Sequence, residues 1–372
     1  MTRHLDLTPK PEAPAPRPLI AVDRAAAELR RGGVVAVRDG ASAVLMLAAE
    51  AVTDEALARL KSLTGSDPAL AVTGRRARVL GLPSADQAVM RLTATGGFAA
   101  ETVSWLADPC ARLLPRPDMA RIQAAPVVAE GPVAAAVALA KLARLLPSTV
   151  VADTARIPDD VLAVDAADVV RYQHTAASTL TIVSQARVPL KDAENARIVA
   201  FRPSDGGIEH LAIVIGDPDP DQAVLARLHS ECFTGDLLGS LRCDCGDQLR
   251  GAIGEIAQAG SGVLLYLAQE GRGIGLVNKL RAYQLQDDGF DTLDANLQLG
   301  FDDDERIYQP AAQMLRLLGI GSVRLMTNNP HKVDALARHG IDVAERVPHV
   351  FPANDHNEGY LRTKATRSGH LF

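Results

Sequence analysis

The run Arg227-Leu-His-Ser-Glu-Cys232-Phe-Thr-Gly-Asp-Leu-Leu-Gly-Ser-Leu-Arg242-Cys243-Asp-Cys245-Gly-Asp-Gln248 places three of the chain's four cysteines within fourteen residues. Arg242, Asp244, Gly246, Asp247 and Gln248 surround the thiols, so the stretch reads as a polar, ligand-bearing loop rather than a core strand. Its spacing, C-x10-C-x-C, is not the C-x2-C knuckle of structural zinc sites, and no fourth cysteine or H-x3-5-H pair lies nearby to close a tetrahedron. Three protein ligands leave one position open. On zinc, such a position holds a water whose pKa falls from 15.7 toward about 7, so hydroxide becomes available for attack on an electrophilic carbon. The competing reading is three reduced cysteines buried as small hydrophobes, which the polar neighbours weaken. A disulfide is weaker still, because Cys243 and Cys245 are too close for an easy bridge and no charged-then-apolar leader opens the chain. The cysteine usage points to a reducing cytoplasm.

Working outward, 372 residues suggest two domains, and 47% hydrophobic content supplies well-packed interiors. The net charge of −6 advertises neither nucleic acid nor an anionic membrane surface, so an anionic ligand must be met locally. The most apolar run, Gly131 to Leu146, carries Lys141 and Arg144 and falls short of the roughly 20 residues of a membrane span. It predicts a buried helix.

Residues 1–18 hold five prolines with scattered charge and are expected to form a flexible tail. From Ile20 a helical pattern (Val22, Ala26, Leu29) leads into a strand at Val34 to Val37. Alternation recurs at Leu45 to Leu47, a helix over 53–63, a strand at 69–72, a helix over 134–146 and a strand at 148–151. That is an α/β domain, expected over 19–179. Near Leu180 the composition shifts to short β-like pieces with Pro189 and Pro203, and a second domain is expected over 180–372. There Leu211 to Gly216, Val263 to Tyr266 and Val323 to Met326 read as strands, and 247–259 and 276–287 as helices. The expected class is therefore α/β, two domains, each a mixed sheet with packed helices. The turn Asn328-Asn329-Pro330 opens a further helix near Lys332, which puts Thr327 and Lys332 at a helix N-terminus suited to a phosphate.

Gln269-Glu270-Gly271-Arg272-Gly273-Ile274-Gly275 follows a strand and opens a helix, as a phosphate loop does, although its spacing is neither a Walker A nor a dinucleotide fingerprint. Taken alone it is a glycine-permitted turn. Arg272 adds a planar bidentate donor, and Glu270 an acceptor for a guanidine-like N–H pair. Asp302-Asp303-Asp304-Glu305-Arg306 reads by itself as a solvated charge run. Tyr283 lies mid-helix at a core-edge spacing, and His229 is either a pocket residue or a satisfied structural histidine.

As an ordered series these pieces match a family. From about Leu180 to Phe372 the chain closely resembles GTP cyclohydrolase II, which commits GTP to riboflavin synthesis. The resemblance lies in R-L-H-S-E-C-F-T-G-D-L-L-G-S-L-R-C-D-C-G, Y-L-A-Q-E-G-R-G-I-G-L-V-N-K-L-R-A-Y, L-G-F-D-D-D-E-R, M-T-N-N-P-H-K-V and the closing H-N-E-G-Y-L-R-T-K. It implies one zinc on Cys232, Cys243 and Cys245, and GTP contacts from Arg227, Leu228, His229, Ser230, Glu231, Gln248, Glu270, Gly271, Arg272, Thr292, Thr327 and Lys332. It further implies Asp304 as proton acceptor, Arg306 as the group that attacks the α-phosphate, and Tyr283 as a helper at the reacting centre. Magnesium on the triphosphate, a homodimer, and release of formate and pyrophosphate complete the implied activity.

The N-terminal half more faintly resembles 3,4-dihydroxy-2-butanone 4-phosphate synthase, the usual fusion partner, through Ala26 to Val37, Ala48 to Thr53, Leu70 to Thr73 and Leu80 to Pro83. Where that family has an acidic D-x-E-N-E-G-D type loop, this chain reads Arg38-Asp-Gly-Ala-Ser-Ala-Val-Leu-Met46, without the carboxylates that would bind magnesium and move protons. A fold retained without its active site is expected. The rival readings are a relative that opens GTP in another pathway or stops at a formylated product, and a regulatory or scaffolding protein. A zinc base deaminase lacks the H-x-E and P-C-x-x-C pieces that chemistry requires.

Overall fold

The computed structural model describes residues 4–5, 7–9, 15–86 and 88–351. Strands β1 (Val35–Asp39), β2 (Ser42–Ala48), β3 (Ala69–Thr73), β4 (Val89–Ala94), β5 (Ile122–Pro126), β6 (Ser148–Asp153) and β7 (Leu162–Asp165) form one seven-stranded sheet in the order β5-β4-β3-β6-β2-β1-β7. Every neighbouring pair is antiparallel except β1 with β7, which is parallel. Side chains alternate across the sheet. Val44 and Met46 of β2 join a core with helices α1 (Arg17–Arg30) and α5 (Pro132–Leu142) on one face. Leu45 and Leu47 join the opposite core, which takes Leu57 and Leu60 of α2 (Asp54–Thr64), Ala77 of α3 (Gly74–Val79) and Val103 and Leu106 of α4 (Ala100–Ala107). Helix α6 (Ala166–Ser178) follows.

Local chemistry sets these ends. The Thr53 side chain caps α2 by accepting from the Ala56 N–H, and left-handed Gly65 closes it. Helix α5 ends at Leu142, short of the expected 146. Arg144 turns into the left-handed region, and its N–H and that of Leu145 bond back to the carbonyls of Lys141 and Ala140.

Strands β8 (Thr181–Arg187), β9 (Ala196–Arg202), β10 (His210–Ile215), β11 (Val224–Ser230), β12 (Gly262–Leu267), β13 (Ser322–Met326) and β14 (Asp342–Val347) form the second sheet, ordered β14-β13-β11-β12-β10-β9-β8. It is mixed. The run β14, β13, β11, β12 is parallel, and β12, β10, β9, β8 is antiparallel. The remaining helices are α7 (Cys245–Gln258), α8 (Leu276–Asp287), α9 (Thr292–Leu299), α10 (Gln309–Leu317) and α11 (Pro330–Arg338). Helix α10 packs on one face of this sheet through Ala311, Ala312, Met314 and Leu315, and α7 on the other through Ala252 and Ile256. Each expected strand and helix of this half is present within a few residues.

Two observations differ from expectation. Leu5 and Leu7, inside the expected tail, pack against the core of the second sheet, because these two apolar residues alternate ahead of the first proline, Pro9; α1 already begins at Arg17. Residues 1–3, 6 and 10–14 of that tail lie outside the described residues, as does the closing H-N-E-G-Y-L-R-T-K motif. The chain also does not divide in sequence order near 180. One compact unit comprises 1–15, 173–273 and 306–372, and the other comprises 16–172 together with 274–305. Helices α8 and α9 thus belong with the N-terminal half, because their apolar faces need a partner and find one there: Ala282, Leu285, Ala295 and Leu299 form a core with Leu146, Ile274 and Phe301.

Candidate functional site

The carboxyl end of β11 organises the site. In a parallel arrangement the strand ends and the loops that follow them gather on one side of the sheet, where an open α/β sheet binds its ligands. Strand β11 delivers Arg227 to Ser230, and the chain then turns through Cys232 and a π-helical turn, Phe233–Leu237. Cys243 follows, and Cys245 begins α7. The sulfurs of Cys232, Cys243 and Cys245 all lie within 4.8 Å of one another. Cys232 and Cys243 are 3.7 Å apart, sulfur to sulfur, so they are in contact without being bonded. Among the described residues this is the one group of three or more His, Cys, Asp or Glu side chains gathered closely enough to hold a metal ion.

The donor set fits zinc. Three converging thiol sulfurs are soft ligands, and a fourth position is left for water or substrate. The backbone makes room for them. A Cβ placed on Gly235 would fall 2.9 Å from the Cys243 sulfur and 3.1 Å from that of Cys232, so glycine is the residue this approach admits. Hydrogen bonding to Cys232 pushes the Cys243 thiol up to about 11, and the same neighbour leads the causes that raise Cys245. Thiols this close oppose one another's ionisation, and a coordinated cation reverses that balance.

Asp236 ties the metal loop to the sheet. Its carboxylate accepts from the Cys232 N–H at 3.0 Å and from the Tyr266 hydroxyl at 2.9 Å, and its Oδ1 lies 3.0 Å from His229 Nε2. Burial pushes His229 below its usual pKa even with that carboxylate opposing the shift. Burial and the nearby Asp236 charge likewise raise Tyr266. His229 therefore stands as a neutral ring, stacked on Tyr266 at 5.5 Å. Asp236 and Tyr266 both fall inside the matching stretches of sequence, yet neither is given a role by reading them. The signal available was Asp236 standing four residues after the first cysteine, inside the metal loop.

The cationic residues lie on the same edge. Arg227 is buried, donating to the Met326 carbonyl at 2.8 Å and to Gln248 Oε1 at 2.5 Å. Burial lowers its pKa to about 10, which leaves it charged at neutral pH. Its Nε has no hydrogen-bond partner among the described residues. Leu228 is a core side chain whose carbonyl accepts from Lys332 Nζ at 2.8 Å. Lys332 lies in the first turn of α11, whose N-cap, Asn329, accepts from the His331 N–H. The Thr327 hydroxyl accepts from the Asn329 N–H at 3.0 Å and so shapes the turn. Ser230 Oγ accepts from Gln269 at 3.0 Å and faces Arg306 Nη1 at 3.5 Å. The Glu231 N–H is bonded to the Leu267 carbonyl.

Glu270 is engaged within the protein. Its carboxylate accepts from the backbone N–H groups of Phe233, at 2.6 Å, and Gly271, at 2.9 Å, so it joins the glycine loop to the metal loop. Arg272 holds a left-handed backbone, φ 61°, beside Gly271 at φ 65°. A non-glycine residue held there stores strain that surrounding contacts must offset, a pattern concentrated at functional sites.

The three remaining expected residues lie in the other compact unit. Tyr283 is on α8, with Lys279 Nζ 5.6 Å from its ring centre. Thr292 opens α9 and accepts from Gln286 at 3.1 Å, while Asp291 caps that helix. Asp304 lies in the acidic loop, whose neighbour Glu305 accepts from Lys141 at 2.6 Å. In the N-terminal half, Arg38 to Met46 forms the β1–β2 hairpin, turned by Gly40 at φ 55°, and Arg38 pairs with Asp165.

Residues 181–348 match the family model for GTP cyclohydrolase II. A GTP cyclohydrolase-2 of Azospirillum brasilense is 57% identical over 363 residues, which cover 95% of this chain and 94% of that one. A GTP cyclohydrolase-2 of Pseudomonas aeruginosa is 59% identical over 172 residues, 46% of this chain and 84% of that one. Among solved structures, a two-domain 3,4-dihydroxy-2-butanone 4-phosphate synthase from A. baumannii aligns over 89% of this chain and 99% of its own at 19% identity, with a TM-score of 0.34. On the near full-length relative, which spans both halves, the chain belongs to the GTP cyclohydrolase II family.

Proposed function

We propose that the protein hydrolyses GTP to 2,5-diamino-6-(5-phosphoribosylamino)pyrimidin-4(3H)-one, formate and pyrophosphate, the first step of riboflavin biosynthesis, using one zinc on Cys232, Cys243 and Cys245. The observation that carries this reading is the convergence of three thiols at the end of the strand that also presents Arg227, His229 and Ser230. A bound zinc supplies hydroxide at neutral pH for attack on a carbon without an easy leaving group. The chain's own residues do the rest. Lys332, in the first turn of α11, and Arg306, beside Ser230, supply positive charge for the phosphates. Arg227 and Gln248, bonded to each other, form a rigid polar wall, and Arg272 presents its guanidinium from a strained turn. Asp304 serves as proton acceptor and Tyr283 assists at the reacting centre; Thr292 and the residues from Leu228 to Glu231, with Glu270, Gly271 and Thr327, shape the nucleotide pocket.

Magnesium rides on the triphosphate, and the enzyme works as a cytoplasmic homodimer without nucleic acid or membrane partners. Exposed Phe233, Leu237, Leu238 and Leu241 beside the metal loop support a self-association surface. No described helix is long and apolar enough to cross a membrane. The N-terminal half makes no dihydroxybutanone phosphate, because a hairpin with one carboxylate, Asp39, stands where a magnesium-holding acidic loop is needed. Metal analysis tests the site: one zinc per chain is expected, with Cys243→Ser losing most of it, since a hydroxyl is a poor soft-metal ligand. Full formate release by metal-free protein would overturn the reading. Growth of a synthase-deficient strain rescued by this chain would overturn the statement on the N-terminal half.

A further inference from the structure

Segment 274–305 is seated on the N-terminal half by polar contacts as well as by its apolar core. Arg281 of α8 donates to Glu50 at 3.0 Å and to Asp108 at 3.2 Å, with all three side chains about four-fifths shielded. Asn278, fully buried, donates to the Arg144 carbonyl at 3.1 Å. At the far end of α9, carbonyls that the helix leaves unpaired are met from the N-terminal half. Arg76, 3% exposed, donates to the Gln298 carbonyl at 2.9 Å, and the Thr73 hydroxyl donates to the Gly300 carbonyl at 2.7 Å. A cation at a helix C-terminus is favourably placed against the dipole. Arg76 is held in turn by the Leu106 carbonyl at 2.8 Å. The acidic loop is gripped last. Lys141 lies 2.6 Å from Glu305, Glu305 accepts from the Asp302 N–H at 2.8 Å, and Arg75 pairs with Asp302.

We propose that the N-terminal half is a positioning element for the cyclohydrolase reaction, in which Arg76, Lys141 and the Glu50–Asp108 carboxylates fix the segment that carries Tyr283, Thr292 and Asp304. The proposal rests on the assignment of those three residues to the GTP site. It gives the hairpin-bearing half a task that needs no synthase chemistry. A buried arginine with three carbonyl partners and an arginine shared by two carboxylates hold a backbone far more narrowly than hydrophobic contact does. Reacting groups displaced by about 1 Å lose on the order of a hundredfold in rate.

The test compares Lys141→Met, Lys141→Arg and Arg76→Met in the full-length zinc-loaded enzyme. Lys141→Met should lower kcat for formate release at least tenfold with KM for GTP, zinc content and thermal midpoint near wild type, and Lys141→Arg should recover most of it. Hydrogen exchange gives a readout independent of activity: amides of 292–305 should exchange faster in Arg76→Met, while those of 245–258 stay as they are. Wild-type kcat in both Lys141→Met and Arg76→Met, or a loss in Lys141→Met that Lys141→Arg shares equally, would overturn the proposal. Should the wild-type protein release no formate from GTP, the cyclohydrolase reading fails by itself. The exchange result then decides the positioning role, and unchanged protection of 292–305 in Arg76→Met rejects it.

Discussion

Cys232 and Asp236 are bonded to each other twice: the Asp236 N–H donates to the Cys232 carbonyl at 2.7 Å, and the Asp236 carboxylate accepts from the Cys232 N–H at 3.0 Å. This closed turn fixes the first thiol. The same carboxylate is held by Tyr266, so the metal loop inherits the rigidity of β12. Asp236→Asn replaces an acceptor-only group with one that must donate, at a position surrounded by donors. Groups that orient metal ligands are typically worth ten- to a hundredfold in affinity. Asp236→Asn is expected to lose zinc affinity in that range in a chelator competition assay, with the fold retained by circular dichroism. Wild-type affinity would show that the turn does not set the ligand.

Gly235→Ala tests the space between the thiols. The added methyl falls 3.0 Å from Cys245 Cβ and closer still to the Cys243 sulfur, so the sulfurs must separate. The variant should bind less than a tenth of the wild-type zinc and lose formate release in parallel. Retention of both would place the metal elsewhere.

Gly254 offers the opposite case. It lies inside α7, and a Cβ there meets nothing within 4 Å. Glycine in a helix interior is worse than alanine by about 1 kcal/mol. Gly254→Ala should therefore raise the thermal midpoint by about 2 °C with zinc content unchanged. A fall in midpoint would mean that the helix is packed more closely than its surroundings indicate.

The pH dependence of stability has a named source. His349 is buried between Glu255, 3.1 Å from Nδ1, and the Gln248 carbonyl, 2.9 Å from Nε2, and burial together with the Arg227 charge holds its pKa below the usual 6.5. Above 6.5 both folded and unfolded chains carry the neutral ring. As pH falls below that value the unfolded chain takes up a proton that the folded chain refuses, so stability declines with acidification. His349→Gln should flatten the fall in urea midpoint between about pH 7 and 5.5. Part of the slope will persist, because burial depresses His229 as well. An unchanged slope would assign the dependence to other groups.

The legible parts of the sequence were those where chemistry is local. Cys232, Cys243 and Cys245 are close in sequence, and their clustering among polar neighbours points to a shared metal. The strands at 211–216, 263–266 and 323–326 carry short apolar runs, of which Ala212, Val214, Val263 to Leu265, Val323, Leu325 and Met326 are buried. The meeting of Asp236 and Tyr266 was not legible, because it depends both on the pairing of β11 with β12 and on the turn that follows β11, and is written in neither segment alone. The bonds from the backbone N–H groups of Phe233 and Gly271 to the Glu270 carboxylate were not legible either, since no side-chain pattern reveals them. The assignment of α8 and α9 to the N-terminal half was hidden for a similar reason. The partners Arg76–Gln298 and Arg281–Glu50 are separated by more than two hundred residues, and charged residues such as these read singly as solvated surface.

Opening of the guanine ring of GTP at the thiol-bound metal can be followed through its products. Purified, zinc-loaded protein incubated with GTP and magnesium should yield formate and pyrophosphate in equal amounts, with a diaminopyrimidinone ribosylamino phosphate identified by mass spectrometry, and Cys232→Ser should release no formate. A product that retains the formyl carbon, or equal formate release from Cys232→Ser, would contradict the account.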